Sequence, residues 1–472
     1  LEGLEAVEIQ FSDLAEVIDF RIESEYFEKR FLLLDKRITS VETISFTKIA
    51  TFINGRPYSS DSFNLDSGVK VSKIGDVTRK RSYDSWEYVE KEEFQKQKGQ
   101  LLKDSDILMT LTGDPPDVGK VNFIYKPSGC TWNQRVAKIK ILDKKKIKSN
   151  ESLYAILSTE YSRSQLERFA KGIRQRNLGN ESLERLRIPI FSLEFQEYLE
   201  KLIKNRFSIL ESAKESFIQA EQLLLQELNL ADFRPSQETV NVKTFSESFG
   251  SSGRLDAEYY QVKYDELEKK IKSGSFVSIK DIRTDNFRGL QPQYVEDGDL
   301  DIINSKHILE QTLDYDNFEK TSSAYWDEQE RARVFKNDIL TYTTGANIGR
   351  TQVYLIDKKA LASNHVNILR LKEGYNSQYI GFVMNSLIGR LQTEKLSAGS
   401  AQAELYPKDI DNFLIPIIDQ DKQQQVAELV EESFTLKKQS EHLLDVAKHA
   451  VEMAIEQDEQ TAMQWIKEQT NE

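Results

Sequence analysis

The run Asp114-Pro115-Pro116-Asp117 holds part of what an amino-methylating site needs: a carboxylate and a carbonyl, stiffened by proline, to accept hydrogen bonds from an amine. Such a site also needs an aromatic ring to stack on the base, and an Asp stands in that place. No Gly-x-Gly occurs in the chain, so the glycine-rich turn that usually cradles the methyl donor's cofactor is missing too. Asp117 followed by Asp143-Lys144-Lys145 imitates a nuclease carboxylate–lysine pattern, which a lysine-rich chain produces by chance. Asp61-Ser62 and the four histidines, His307, His365, His442 and His449, form no nucleophile–base pair. With Cys130 as the one cysteine, neither a disulfide nor a metal-ligand spacing can be assembled. No catalytic or metal constellation is expected in this chain.

What is left is chemistry of binding. Thr112-Gly113 and Thr344-Gly345 each leave a strand-like segment into a glycine turn that closes at Gly119 or Gly349, followed by a cation, Lys120 or Arg350. Such turns let a phosphate approach backbone donors, although a plain strand–turn–strand connection reads the same way. Asn133, Gln134 and Arg135, and likewise Asn364 and His365, stand just before a strand-like segment. Amides and arginine suit paired hydrogen bonds to purine edges, while Asn is also an ordinary turn residue. Lys171, Arg174 and Arg176, with Arg163 and Arg168 before them, are dense enough beside a glycine loop to neutralise phosphates, or they form a solvated helix face.

The elements that must position these residues come twice. RIESEYFEKRF from Arg21 matches RLDAEYYQVKY from Arg254, and DILMTLTGDPPDVGKV from Asp106 matches DILTYTTGANIGRT from Asp338. WNQRVAKIKI from Trp132 matches SNHVNILRL from Ser363. Gly172, Gln175, Leu178 and Ile188-Pro189-Ile190 match Gly399, Gln402, Leu405 and Ile415-Pro416-Ile417, at an offset of roughly 230 throughout. Four blocks that keep order and spacing imply a duplicated plan. Residues 107–111, 136–141, 339–343 and 366–371 are short, β-branched and bounded by turn residues, which predicts strands. The Ile-Pro-Ile blocks cannot lie inside a helix and mark where each globular part closes.

After each closure the apolar period becomes that of a helix. Leu199, Leu202, Ile203, Phe207, Leu210, Ala213, Phe217, Ala220 and Leu224 follow it, as do Val426, Val430, Ser440, Leu444, Ala447, Val451 and Ala454 more weakly. Two long helices packed on each other, antiparallel and coiled-coil-like, satisfy both seams; each lying on its own domain is the alternative.

At 472 residues more than one domain is expected, and a net charge of −13 argues against non-specific coating of nucleic acid. The absence of a signal peptide or an apolar run near 18 residues predicts a cytoplasmic protein without a membrane partner.

The duplicated Asp-Ile-Leu…Thr-Gly…Gly turns, the Asn-Gln or Asn-His before a strand, the Gly…Gln…Leu…Ile-Pro-Ile closures and the long helix after each resemble the specificity subunit of type I restriction-modification systems, or its relative in bipartite type II systems. The resemblance covers nearly the whole chain. It implies an α+β fold of two repeated α/β target-recognition domains separated by two long antiparallel coiled-coil-like helices, pseudo-two-fold symmetric. Residues 1–191 and 233–418 would be the recognition domains, and 192–232 and 419–472 the spacer helices. Each domain would read half of a split double-stranded DNA target, with the helices as ruler and as docking surface for two DNA methyltransferase (modification) subunits. S-adenosylmethionine is then expected on those partners, ATP and Mg on a restriction subunit, and no cofactor on this chain. The rival class is a helical scaffold that presents two protein-interaction domains and binds no DNA.

Overall fold

The computed structural model describes residues 7–10, 23–63, 67–80, 83–115, 117–172, 175–238, 240–295, 297–345, 347–397 and 403–470. They divide into two compact units, one of residues 1–210 and 438–472 and the other of residues 211–437.

In the first unit a helix α1 (Lys29–Ile38) leads into β1 (Thr43–Ser45) and β2 (Ala50–Asn54). β3 (Val69–Ser72), β4 (Tyr88–Val89), β5 (Ile107–Thr110), β6 (Thr112–Gly113), β7 (Val121–Phe123), β8 (Cys130–Trp132) and β9 (Val136–Ile141) follow. One sheet has the order β2-β9-β5-β7 and a second the order β4-β3-β8, in which β3 and β8 run parallel. β5 reads as an unbroken Ile-Leu-Met-Thr run because all four residues are buried.

Helices α2 (Asn150–Leu157) and α3 (Glu160–Phe169) cover that core, and each begins at a hydroxyl. Ser149 accepts from the Ser152 N–H, and Thr159 from that of Ser162. β10 (Arg176–Asn177) returns to pair with β6, and β11 (Arg187–Pro189) pairs antiparallel with β1, Thr43 opposite Pro189. Pro189 sits in a two-stranded ribbon, where a strand tolerates a residue with no N–H. The long helix α4 (Leu193–Glu227) then begins.

The second unit repeats the plan. After α5 (Val262–Lys272) come β12 (Phe276–Ser278), β13 (Arg283–Arg288), β14 (Leu300–Ile303), β15 (Glu319–Thr321) and β16 (Arg333–Val334). β17 (Ile339–Tyr342), β18 (Thr351–Val353), β19 (Ala360–Ala362) and β20 (Val366–Leu371) complete two sheets, β13-β20-β17-β18 and β15-β14-β19-β16. α6 (Ser377–Asn385), α7 (Leu387–Leu396) and β21 (Leu414–Pro416) precede the second long helix, α8 (Gln420–Glu456). β12 pairs with β21 as β1 does with β11, and β14 runs parallel to β19 as β3 does to β8.

The motif residues explain themselves locally. Asp106 and Asp338 each accept a backbone N–H three residues back, from Lys103 and Phe335, both at 2.8 Å. Each also pairs with a cation on the neighbouring strand, Lys138 at 3.3 Å and Arg370 at 2.9 Å. Gln165 donates to the Arg187 carbonyl and accepts from its N–H, and Gln392 does the same with Leu414. A side-chain amide thus acts as a missing strand partner at each closure. Gly119 and Gly349 have φ of +72° and +85°, and a Cβ there would lie 2.7 Å from Leu166 Cβ or 2.5 Å from Thr393 Cγ2.

The apolar seams of α4 and α8 are shared between helix and domain, so both sequence expectations for them are met in part. In the first unit Leu199, Leu202, Ile203 and Phe207 join one core with Leu444, Ala447, Val451, Ala454 and the β-sheet. Phe207 stacks on Phe123 at 4.8 Å. In the second unit Ala220 and Leu224 join Val426 and the domain core, and Ser216 Oγ donates to Glu432 at 3.0 Å while Glu227 pairs with Lys422 at 3.7 Å. Partner numbers that rise on one helix as they fall on the other show antiparallel packing. The last segment differs from one continuous spacer: it breaks at Asp458, whose carboxylate caps α9 (Glu459–Thr470) through the Thr461 N–H at 2.8 Å.

Candidate nucleic-acid interface

In the first unit, strand ends and turns meet in one hydrogen-bonded rim. Gly55 lets the end of β2 approach the turn after β8, since a Cβ would lie 2.2 Å from the Asn133 carbonyl oxygen. Arg56 then bridges Asn133 in parallel. Asn133 makes its own turn: its Oδ1 accepts from the Arg135 N–H and its carbonyl from Val136, both at 3.1 Å. Held this way, Gln134 and Arg135 project exposed side chains. The Arg135 carbonyl accepts from Leu111 at 2.9 Å, and the Leu111 carbonyl from Leu178 at 2.8 Å. That brings Thr112 and Gly113 opposite Asn177 and Arg176, with Thr112 Oγ1 donating to Asn177 Oδ1 at 2.8 Å.

The second unit builds the same rim. A Cβ on Gly289 would lie 2.1 Å from the Ala362 carbonyl oxygen, and Leu290 bridges Ser363. Thr343 donates to the His365 carbonyl at 3.1 Å, Leu405 to that of Thr343 at 2.9 Å, and Thr344 bridges Glu404. These bonds align Asn133 with Ser363, Gln134 with Asn364 and Arg135 with His365, one residue away from the apparent match of Trp132 with Ser363. His365 is exposed and Asn364 half-buried.

The sequence-selected cations do not all gather there as free charges. Lys120 lies 3.1 Å from Asp117, Lys171 2.8 Å from Glu181, and Arg176 2.5 Å from Glu25 with its side chain 14% exposed. Arg174 lies outside the described residues, as do Gly399 and Gln402. Arg350, Arg56 and Arg135 make no ion pair among the described residues.

Arg163 and Arg168 serve the fold. Arg163 donates to the Val118 carbonyl at 2.9 Å, and burial pulls its guanidinium below the usual range. Arg168, 9% exposed, donates to the Tyr26 carbonyl, stacks over that ring at 4.4 Å and pairs with Asp35 at 3.2 Å. Lys395, Tyr259 and Glu268 repeat the last two contacts in the second unit.

The glycine turns also differ from open donor nests. The N–H groups of residues 117–120 are taken by Asp114 and Thr110, and those of 348–350 by Gly345, Tyr342 and Asn347. Those N–H groups are therefore not open to an anion.

Sequence reasoning missed Arg56, Arg288, Glu404 and Tyr406. Arg288 Nη2 donates to the Leu405 carbonyl at 3.0 Å and its Nη1 to Glu404 at 3.4 Å, and its guanidinium lies 4.8 Å from the Tyr406 ring centre. The Tyr406 hydroxyl donates to the other Glu404 oxygen, and with Arg288 it holds that carboxyl below the usual range. A signal was present: Asn54-Gly55-Arg56-Pro57 and Arg288-Gly289 both carry a glycine and an arginine where a strand ends. Among the described residues no cluster of His, Cys, Asp or Glu could hold a metal, and no helix is long and apolar enough to cross a membrane.

Two similar scaffolds that place polar side chains, Gln134 and Arg135 in one and Asn364 and His365 in the other, at matching strand ends define a paired recognition module. Residues 39–220 and 266–443 each match the family described as type I restriction modification DNA specificity domain. The chain belongs to that family, whose members recognise DNA targets for type I restriction-modification. It is similar to the S subunit of a type I restriction-modification system from M. genitalium at 11% identity, over 88% of this chain and 95% of that one, with a TM-score of 0.38. The HsdS subunit from Thermoanaerobacter tengcongensis is similar at 11% identity over 87% and 97%, with a TM-score of 0.26. No curated protein sequence matches the chain.

Proposed function

We propose that the two rims each read one half of a bipartite, asymmetric DNA sequence, and that the two long helices set the gap between the halves and dock two methyltransferase subunits. One observation carries this reading: the backbone bonds of the two rims are the same while the side chains they present differ. A split asymmetric target needs the same presentation twice with different base contacts each time.

In the first domain Thr112, Gly113, Asn133, Gln134 and Arg135 belong to the reading rim, with Lys120, Lys171 and Arg176 flanking it; Arg174, outside the described residues, is assigned to phosphate contact from the sequence alone. In the second, Thr344, Gly345, Asn364 and His365 do so, with Arg350 beside them. Asn133 acts by shaping the turn, and Gln134 and Arg135 by reaching bases. Arg176 and Lys171 would exchange Glu25 and Glu181 for phosphates. The chain itself would do no chemistry. S-adenosylmethionine would belong to the modification subunits, and ATP with Mg to a restriction subunit.

Methylation mapping in the host with and without this gene tests the proposal. Loss of one bipartite methylated motif with the gene is expected; an unchanged methylation pattern, with no salt-dependent binding of the assembled complex to any duplex, would support the protein scaffold instead.

A further inference from the structure

The two rims differ most sharply at one slot. Thr112 and Thr344 each open the glycine turn and bridge an antiparallel partner in the returning segment, Asn177 in the first unit and Glu404 in the second. The side-chain contact is repeated too: the threonine hydroxyl reaches Asn177 Oδ1 at 2.8 Å and Glu404 Oε1 at 3.4 Å. One backbone slot thus carries an amide in one unit and a carboxylate in the other.

Their remaining hydrogen-bonding capacity is different in kind. Asn177 is exposed, and besides the threonine contact its Nδ2 donates to the Gln175 carbonyl at 3.3 Å. Among the described residues one N–H and one lone pair stay without a partner, a donor and an acceptor side by side. Glu404 is half-buried and fixed by Thr344, Arg288 and Tyr406. As a carboxylate it can only accept, and its orientation is set before any ligand arrives. A carboxylate on a surface facing phosphates is repelled by them unless a base supplies a donor to it.

We infer that position 177 and position 404 are equivalent specificity selectors: Asn177 reads the N6 and N7 edge of an adenine in one half-site, and Glu404 accepts from the N4 amino group of a cytosine in the other. The pairing follows from groove chemistry, where an amide matches the donor–acceptor pair of adenine and a carboxylate the exposed amine of cytosine. Arg288 offsets the charge of Glu404 and Tyr406 aims it. This inference rests on the DNA-reading function proposed above.

The test uses the full chain assembled with its modification subunits and a library of duplexes. Wild-type complex that selects no duplex would remove the underlying function itself. If it does select one, each cytosine of the target is replaced singly by an analogue lacking the 4-amino group. One such replacement, in one half-site only, should weaken binding by roughly 5- to 150-fold. No sensitive cytosine in either half would overturn the assignment of Glu404 while leaving DNA reading intact. Glu404→Gln should shift that base towards adenine, and Asn177→Asp should shift a base of the other half towards cytosine. An unchanged motif in both variants would also overturn it; the wild-type analogue series decides should a variant fail to assemble.

Discussion

Arg135 and His365 stand at the same point of two like rims, each with its carbonyl tied into the turn and its side chain left exposed. Arg135→Ala should relax one base of one half-site by about 1–3 kcal/mol and leave the other half as it was, measurable by competition between duplexes. The cations Arg56 and Arg350, without an ion pair among the described residues, belong to a different class of contact. Their alanine variants should weaken all duplexes alike and reduce the log–log salt slope by about 0.9 per lost phosphate. Asp411 offers a test of the fold rather than of reading. Burial pushes its carboxyl up, but donation from Arg283 and Asn286, each at 2.8 Å, outweighs that and leaves it below the usual range. A depressed carboxylate stabilises the fold above its unfolded pKa of about 3.9, and that stability is lost as pH falls below it. Asp411→Asn should therefore lower the melting temperature at pH 7, with the gap to wild type closing below about pH 4. Which cations were free was not legible in the sequence: Arg168 and Arg350 look alike as letters, and only Tyr26, Asp35 and their geometry separate them.

At the scale of elements, periodicity and turn residues were enough to foresee β5, β9, β17 and β20, the two long helices and the Ile-Pro-Ile blocks as the closing points, though not that these blocks pair as the ribbon strands β11 and β21. The parallel pairs β3–β8 and β14–β19 were not foreseeable, because strands this short carry too little pattern and their partners lie about 60 residues away. The glutamine clamps were equally invisible, since nothing in a lone Gln announces that it will imitate a strand. Gln165→Leu removes a donor and an acceptor from the Arg187 backbone and should destabilise the first unit by about 1–3 kcal/mol, read by denaturant unfolding. The helices admit a test of the ruler. Seven residues inserted in α4 alone should mis-register its seam and impair assembly. A matched heptad in both helices adds about 10 Å, roughly three base pairs at about 3.4 Å each, and should lengthen the gap of any target still methylated. Methylation at the original spacing would show that the helices do not set the distance.

On the scale of the whole chain, each recognition domain begins and ends at one ribbon. Thr43 faces Pro189 and Phe276 faces Pro416, and the bonds continue outward from Ile190 to Glu42 and from Ile417 to Ser275. The two ends of a domain are hydrogen-bonded neighbours, so everything between them can differ while the helices before and after meet the same geometry. Exchange of residues from about 41 to 189 for the equivalent part of a relative should change one half of the methylated motif alone, as methylation sequencing would show. Seen from the gene, the ribbons are where inheritance can be cut. On the proposed reading, a crossover whose breakpoints fall within the codons of β1 and β11, or of β12 and β21, would move a whole reading surface between lineages in one event, and a population carrying a few such segments would hold as many target sequences as there are pairs of them.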